Sequence, residues 1–118
     1  MSAFTYETNT TVEAIAERLR SARSVLVTSH EKPDGDAIGS CAAIARALRA
    51  LGIEVEVWFL GAVTPNLASL ADDLAPRFAP PDQPGDQHDL CVVVDTGAWA
   101  QLGPLKEYLA VRRDSIIG

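Results

Sequence analysis

A histidine and three aspartates are the residues of this chain whose types and spacing point to chemistry. His30, Asp34 and Asp36 stand in the run His30-Glu31-Lys32-Pro33-Asp34-Gly35-Asp36, an H-x-x-x-D-x-D pattern that directly follows the apolar Val25-Leu26-Val27. A second apolar run, Leu90-Cys91-Val92-Val93-Val94, ends in Asp95. One imidazole with several hard carboxylate oxygens suits manganese or magnesium better than a thiolate-preferring ion. Two strand ends that each deliver such ligands predict a two-metal hydrolytic centre. In such a centre, ions about 3.5–4 Å apart bind phosphoryl oxygens and acidify water. No side-chain nucleophile is needed there, and none is evident.

The surrounding residues fit that chemistry. Pro33 biases Lys32 away from helix, which keeps the chain extended past His30. Gly35 is expected to permit a sharp bend between Asp34 and Asp36. Asp36 is expected at or near the start of a helix, where the macrodipole favours negative charge. Gly39 and Ser40 are expected in that helix's first turn, where free N–H groups approach a phosphate oxygen.

These residues need a scaffold, and the rest of the chain reads as alternating helix and strand. Thr10-x-x-Glu13 resembles a capping box ahead of Val12, Ile15, Ala16 and Leu19 at helical spacing. Residues 24–29 predict a strand buried on both faces. Residues 37–51 predict a helix with Ile38, Cys41, Ala45 and Leu48 inward, Arg46 and Arg49 outward, and Gly52 closing it. Residues 53–60 predict a strand whose alternating Glu54 and Glu56 leave one face or edge wet. A short helix over 66–74 follows. Four of the seven prolines lie between Pro76 and Pro84, so that stretch reads as a loop. A third strand (90–94), a helix (105–111) and a fourth strand beginning at 115 complete the chain. Right-handed crossovers then give a three-layer α/β domain, its mainly parallel sheet ordered 2-1-3-4 with helices on both faces. Ligands in such sheets bind beyond the carboxyl ends of the strands, where strand order reverses. With the first and third strands adjacent, His30, Asp34, Asp36 and Asp95 converge.

Composition bounds the alternatives. The 118 residues make one domain at most, and 47% hydrophobic content with only 6% aromatic asks for a core of aliphatic side chains. A net charge of −6 argues against a broad surface for duplex nucleic acid. Cys41 and Cys91 lie in apolar segments and read as reduced core thiols of a cytoplasmic protein. The first residues lack a signal peptide's basic and apolar regions. No apolar run reaches membrane-spanning length.

The His30-Glu31-Lys32-Pro33-Asp34-Gly35-Asp36-Ala37-Ile38-Gly39-Ser40 run after a Val-Leu-Val strand, with Val92-Val93-Val94-Asp95-Thr96-Gly97 downstream, resembles the opening of the DHH phosphoesterases. It is most similar to the nanoRNase-like branch, which degrades short oligonucleotides and in several members dephosphorylates 3′-phosphoadenosine 5′-phosphate. The resemblance runs from about Thr11 to the end of the chain. It implies that His30, Asp34 and Asp95 hold one manganese ion, that Asp36 holds the second, and that Asp95 bridges them. Magnesium is the alternative ion. A short single-stranded oligonucleotide or a nucleotide phosphate is the implied partner, and a homo-oligomer is left open. The family's Asp-His-His segment, its last metal-binding aspartate and its C-terminal substrate-binding domain have no counterpart here. The resemblance therefore implies an incomplete, N-terminal portion, expected to be marginally stable, prone to self-association and inactive by itself.

Several residues have plainer readings. Glu31 and Lys32 read as solvated, and His88, beside Asp86 and Asp89 in the proline loop, as a surface residue. Arg112 and Arg113 read as helix-end charges, Trp58 and Trp99 as packing residues. Ser40 reads equally as a small helix-packing residue. Two rival functions remain. One is a non-catalytic metal- or nucleotide-binding module of the same fold. The other takes Asp95-Thr96-Gly97 as an aspartic-protease signature, which requires an all-β chain. Neither an NTPase phosphate loop nor a dinucleotide-binding glycine turn occurs.

Overall fold

The computed structural model describes residues 10–30, 33–61, 63–78, 88–94, 105–111 and 115–117. Its elements are α1 (Val12–Ser21), β1 (Ser24–Thr28), α2 (Gly35–Ala50), β2 (Glu54–Phe59), α3 (Pro65–Ala68), a 3-10 helix (Ser69–Leu74), β3 (Arg77–Phe78), β4 (Leu90–Val93), α4 (Lys106–Ala110) and β5 (Ile116–Ile117). All strand pairs are parallel, and the sheet runs β3-β2-β1-β4-β5. The four anticipated strands are β2, β1, β4 and β5, in the anticipated order.

β1 lies at the centre because its side chains are apolar on both faces. Val25 and Val27 pack with Ile38, Cys41, Ala45 and Leu48 of α2. Leu26 points to the other face, against Trp58, Cys91, Leu105 and Leu109. Burying each such aliphatic side chain is worth about 1.5–3 kcal/mol, so the run is stable only with both faces covered. Cys41 and Cys91 are thiols outside any disulfide, buried on opposite faces of the sheet.

α2 ends as its glycine predicts. Gly52 has φ +82°, its N–H donates to Arg49 O at 3.0 Å, and the Ile53 N–H donates to Leu48 O at 3.1 Å. That is a Schellman closure. Arg46 points outward but is not idle: its guanidinium grips both carboxylate oxygens of Asp73 and the Leu70 carbonyl, tying the 3-10 helix to α2.

Four expectations need correction. The cap of α1 is Thr11, whose Oγ1 accepts from the Ala14 N–H at 3.1 Å, so Thr10 and Glu13 form no capping box. The apolar stripe of α1 is only half-covered, and none of its residues is buried. The proline-rich stretch contributes a strand, β3, which pairs with Trp58 and Phe59 of β2. Two residues after a proline are too short a run to show periodicity. Finally, β2 is wet only at its amino end: Glu54 is exposed, whereas Val57, Trp58 and Phe59 are buried.

Candidate metal centre

The carboxyl ends of β1 and β4 lie side by side. Thr28 is in register with Val93, and the Val94 N–H donates to the Thr28 carbonyl at 3.0 Å. On its other flank the buried Thr28 hydroxyl donates to the Trp58 carbonyl at 2.8 Å. His30 therefore leaves β1 from a strand end held on both sides. Asp95 follows Val94 in the chain and lies outside the described residues, as do Glu31, Lys32, Trp99, Arg112 and Arg113.

Asp34 is the N-cap of α2. Its backbone is extended (φ −100°, ψ −172°) and its Oδ1 accepts from the Ala37 N–H at 2.9 Å. The same Oδ1 lies 3.9 Å from Nε2 of His30, whose side chain is only 17% exposed. Two ligands at about 2.1 Å from a single cation stand about 3–4.2 Å apart. The His30–Asp34 pair thus fits one divalent ion, with a nitrogen and a hard oxygen as donors. Asp36 is the second residue of α2 and is exposed. Among the described residues, no three His, Cys, Asp or Glu side chains gather to hold a metal. The structure brings His30 to Asp34 and leaves Asp36 apart from them.

The start of α2 falls earlier than residue 37, which changes the parts its small residues play. Gly35 is the first helical residue, without positive φ, and a Cβ on it would meet Leu67 Cδ2 at an ordinary 3.7 Å. No sharp bend requires a glycine there. Gly39 and Ser40 are exposed but lie beyond the first turn. The N–H groups left over at a helix start are those of the cap and the first three residues. Ala37 donates to Asp34, which leaves the N–H groups of Asp34, Gly35 and Asp36 without an acceptor among the described residues, and those of Gly35 and Asp36 lie in the first turn.

His88 is the clearest departure from the sequence reading. It is buried rather than on the surface, with its side chain 2% exposed and Nε2 3.9 Å from Glu56 Oε1. Its Nδ1 is buried and has no hydrogen-bond partner among the described residues. Burial lowers its pKa below 6.5, while the carboxylates of Glu56 and Asp89 pull the other way. It stands at the amino ends of the strands, beside a cavity of about 420 Å³ lined by Ser24, Arg49, Glu54 and Glu56 among others. That is the end of the sheet away from His30. Next to it, the Asp89 carboxylate accepts from the backbone N–H of Arg23, at 3.3 and 3.1 Å, and from that of Ser24, at 3.1 Å. Burial raises the Asp89 pKa, but those N–H groups outweigh it and leave the group below its usual value. Trp58 is a packing residue, as expected, 1% exposed, with its indole N–H donated to Glu56 and the Arg77 guanidinium 4.9 Å from its ring centroid. Thr28 was not legible as part of the site, since a threonine in a strand has no local signature of its partner.

The model of the DHH family, N-terminal domain, matches residues 24–117. No curated protein matches the chain. Among solved structures it is similar to an exopolyphosphatase-related protein from Bacteroides fragilis, with a TM-score of 0.64 and 20% sequence identity over 83% of this chain. The chain spans 30% of that protein's length. At that identity the likeness concerns the fold.

Proposed function

Because this chain belongs to the DHH family, a family of phosphoesterases, we propose that it supplies one side of a manganese-dependent phosphoesterase centre. In the full-length protein that centre acts on short oligonucleotides or small nucleotide phosphates. The observation that carries the reading is the 3.9 Å approach of His30 Nε2 to Asp34 Oδ1 at a strand end. The neighbouring strand is hydrogen-bonded there through the residue that precedes Asp95.

By the resemblance to the family, His30 and Asp34 would hold one ion and Asp36 the second, with Asp95 as a further ligand. Divalent cations held there would supply Lewis acidity toward a phosphoryl group and would lower the pKa of water toward neutrality. The residues of this chain orient and charge-balance: Asp34 is fixed by its cap hydrogen bond, and the free N–H groups of Gly35 and Asp36 present positive potential to an anionic substrate. The aspartic-protease alternative demands an all-β chain and has no place in a parallel sheet layered with helices.

The test uses the full-length protein with manganese, offered a short oligoribonucleotide and a nucleoside 3′,5′-bisphosphate in parallel. Hydrolysis of either that stops on chelation with EDTA, and is lost in Asp95→Asn, supports the reading. Metal binding without turnover on either substrate favours the non-catalytic module.

A further inference from the structure

Thr28 is fully buried, and its side-chain hydroxyl is used in a particular way. It donates to the carbonyl oxygen of Trp58 at 2.8 Å. The carbonyl of the same residue accepts from the Val94 N–H at 3.0 Å. One residue is therefore bonded to both neighbouring strands at the last rung of β1. It stands two residues before His30, and its partner Val94 stands one residue before Asp95. The carbonyl it grips is itself held firmly: Trp58 is 1% exposed, donates its indole N–H to Glu56 and lies under the Arg77 guanidinium.

We propose that Thr28 is a positioning residue of the metal centre: its hydroxyl ties the end of β1 to β2 and so fixes the point from which the chain leaves the strand toward His30 and Asp34. The proposal rests on the reading of His30, Asp34 and Asp95 given above. Its physical basis is the tolerance of such sites: ligands must be held to within about 0.5 Å of productive geometry by groups that are locked themselves. Thr28 is the last residue of β1, and the chain beyond must turn away to reach the cap of α2 at Asp34. The hydroxyl adds a tie from side chain to backbone at the point of departure. Valine has the same shape and strand preference but no hydroxyl. Serine keeps the hydroxyl and loses a methyl.

The experiment is a manganese titration of the full-length protein, following the electron paramagnetic resonance signal of free Mn²⁺, with thermal unfolding recorded on the same samples. Thr28→Val and Thr28→Ala are expected to weaken manganese binding about tenfold, in the range found when groups supporting metal ligands are removed. Thr28→Ser is expected to bind within twofold of wild type. An affinity within twofold of wild type in folded Thr28→Val or Thr28→Ala, whatever happens to the melting temperature, overturns the proposal and leaves the hydroxyl as a structural tie only. His30→Ala in the same series separates the two levels of argument. If it leaves manganese binding intact, the metal reading itself fails, and the role of Thr28 fails with it.

Discussion

Asp34 Oδ1 accepts the Ala37 N–H at 2.9 Å while standing 3.9 Å from Nε2 of His30. One oxygen thus starts a helix and faces the imidazole. The two tasks need different properties of the side chain: the cap needs an acceptor, and the cation needs a negative charge.

Substitution separates them. Asn is as good an N-cap as Asp, so Asp34→Asn is expected to unfold in urea within about 0.5 kcal/mol of the parent. Its manganese affinity in the full-length protein is expected to fall at least tenfold. Asp34→Ala loses the cap as well, at a cost of about 1 kcal/mol. Undiminished manganese binding in Asp34→Asn removes Asp34 from the ligand set.

The buried imidazole of His88 makes a prediction about acid. Its folded-state pKa is depressed by burial, with Glu56 and Asp89 opposing. Just below pH 6.5 the unfolded chain binds the proton that the folded one refuses, so stability falls as pH drops through that value and levels off below the folded-state pKa. His88→Phe removes both the titration and the orphaned Nδ1. Replacing an unsatisfied buried polar group with an apolar one of similar shape is neutral or stabilising by about 1 kcal/mol. Urea midpoints at pH 5 and pH 7 are expected to lie closer together in His88→Phe than in the parent. Equal separations in the two proteins refute the assignment.

The closure of α2 predicts a backbone effect. Gly52 sits at φ +82° with open space where a Cβ would go, so only conformational strain opposes a side chain. Gly52→Ala is expected to lower stability by about 1–2 kcal/mol, and Gly52→Asn by less, because Asn visits the left-handed region more readily. Denaturant unfolding of the three proteins measures both steps, and an alanine variant as stable as the parent contradicts them.

Much of this architecture is written locally. Val25-Leu26-Val27 is apolar at every position, and a strand of that kind is stable only when covered on both faces, so the centrality of β1 follows from three residues. Ile38, Cys41, Ala45 and Leu48 recur at helical spacing, and all are buried in α2. The presence of His30 and several aspartates at a strand end is likewise plain in the sequence.

Tertiary structure decided what local preference leaves nearly degenerate. Thr10 against Thr11, or a helix start at 35 against 37, are choices between neighbours whose cap energies differ by less than about 1 kcal/mol. The path from β1 into α2 settles the second of them. That choice decides which aspartate meets His30. With the cap at Asp34, that carboxylate faces His30, and Asp36 falls inside the first turn of α2. β3 exists only because the end of β2 offers it a partner. His88 is buried because Leu90 and the strand it opens are drawn between β1 and β5, and a two-residue approach to a strand follows wherever that strand is pulled. The hydroxyl of Thr28 finds the Trp58 carbonyl 30 residues away in the chain, a contact that only the sheet register creates.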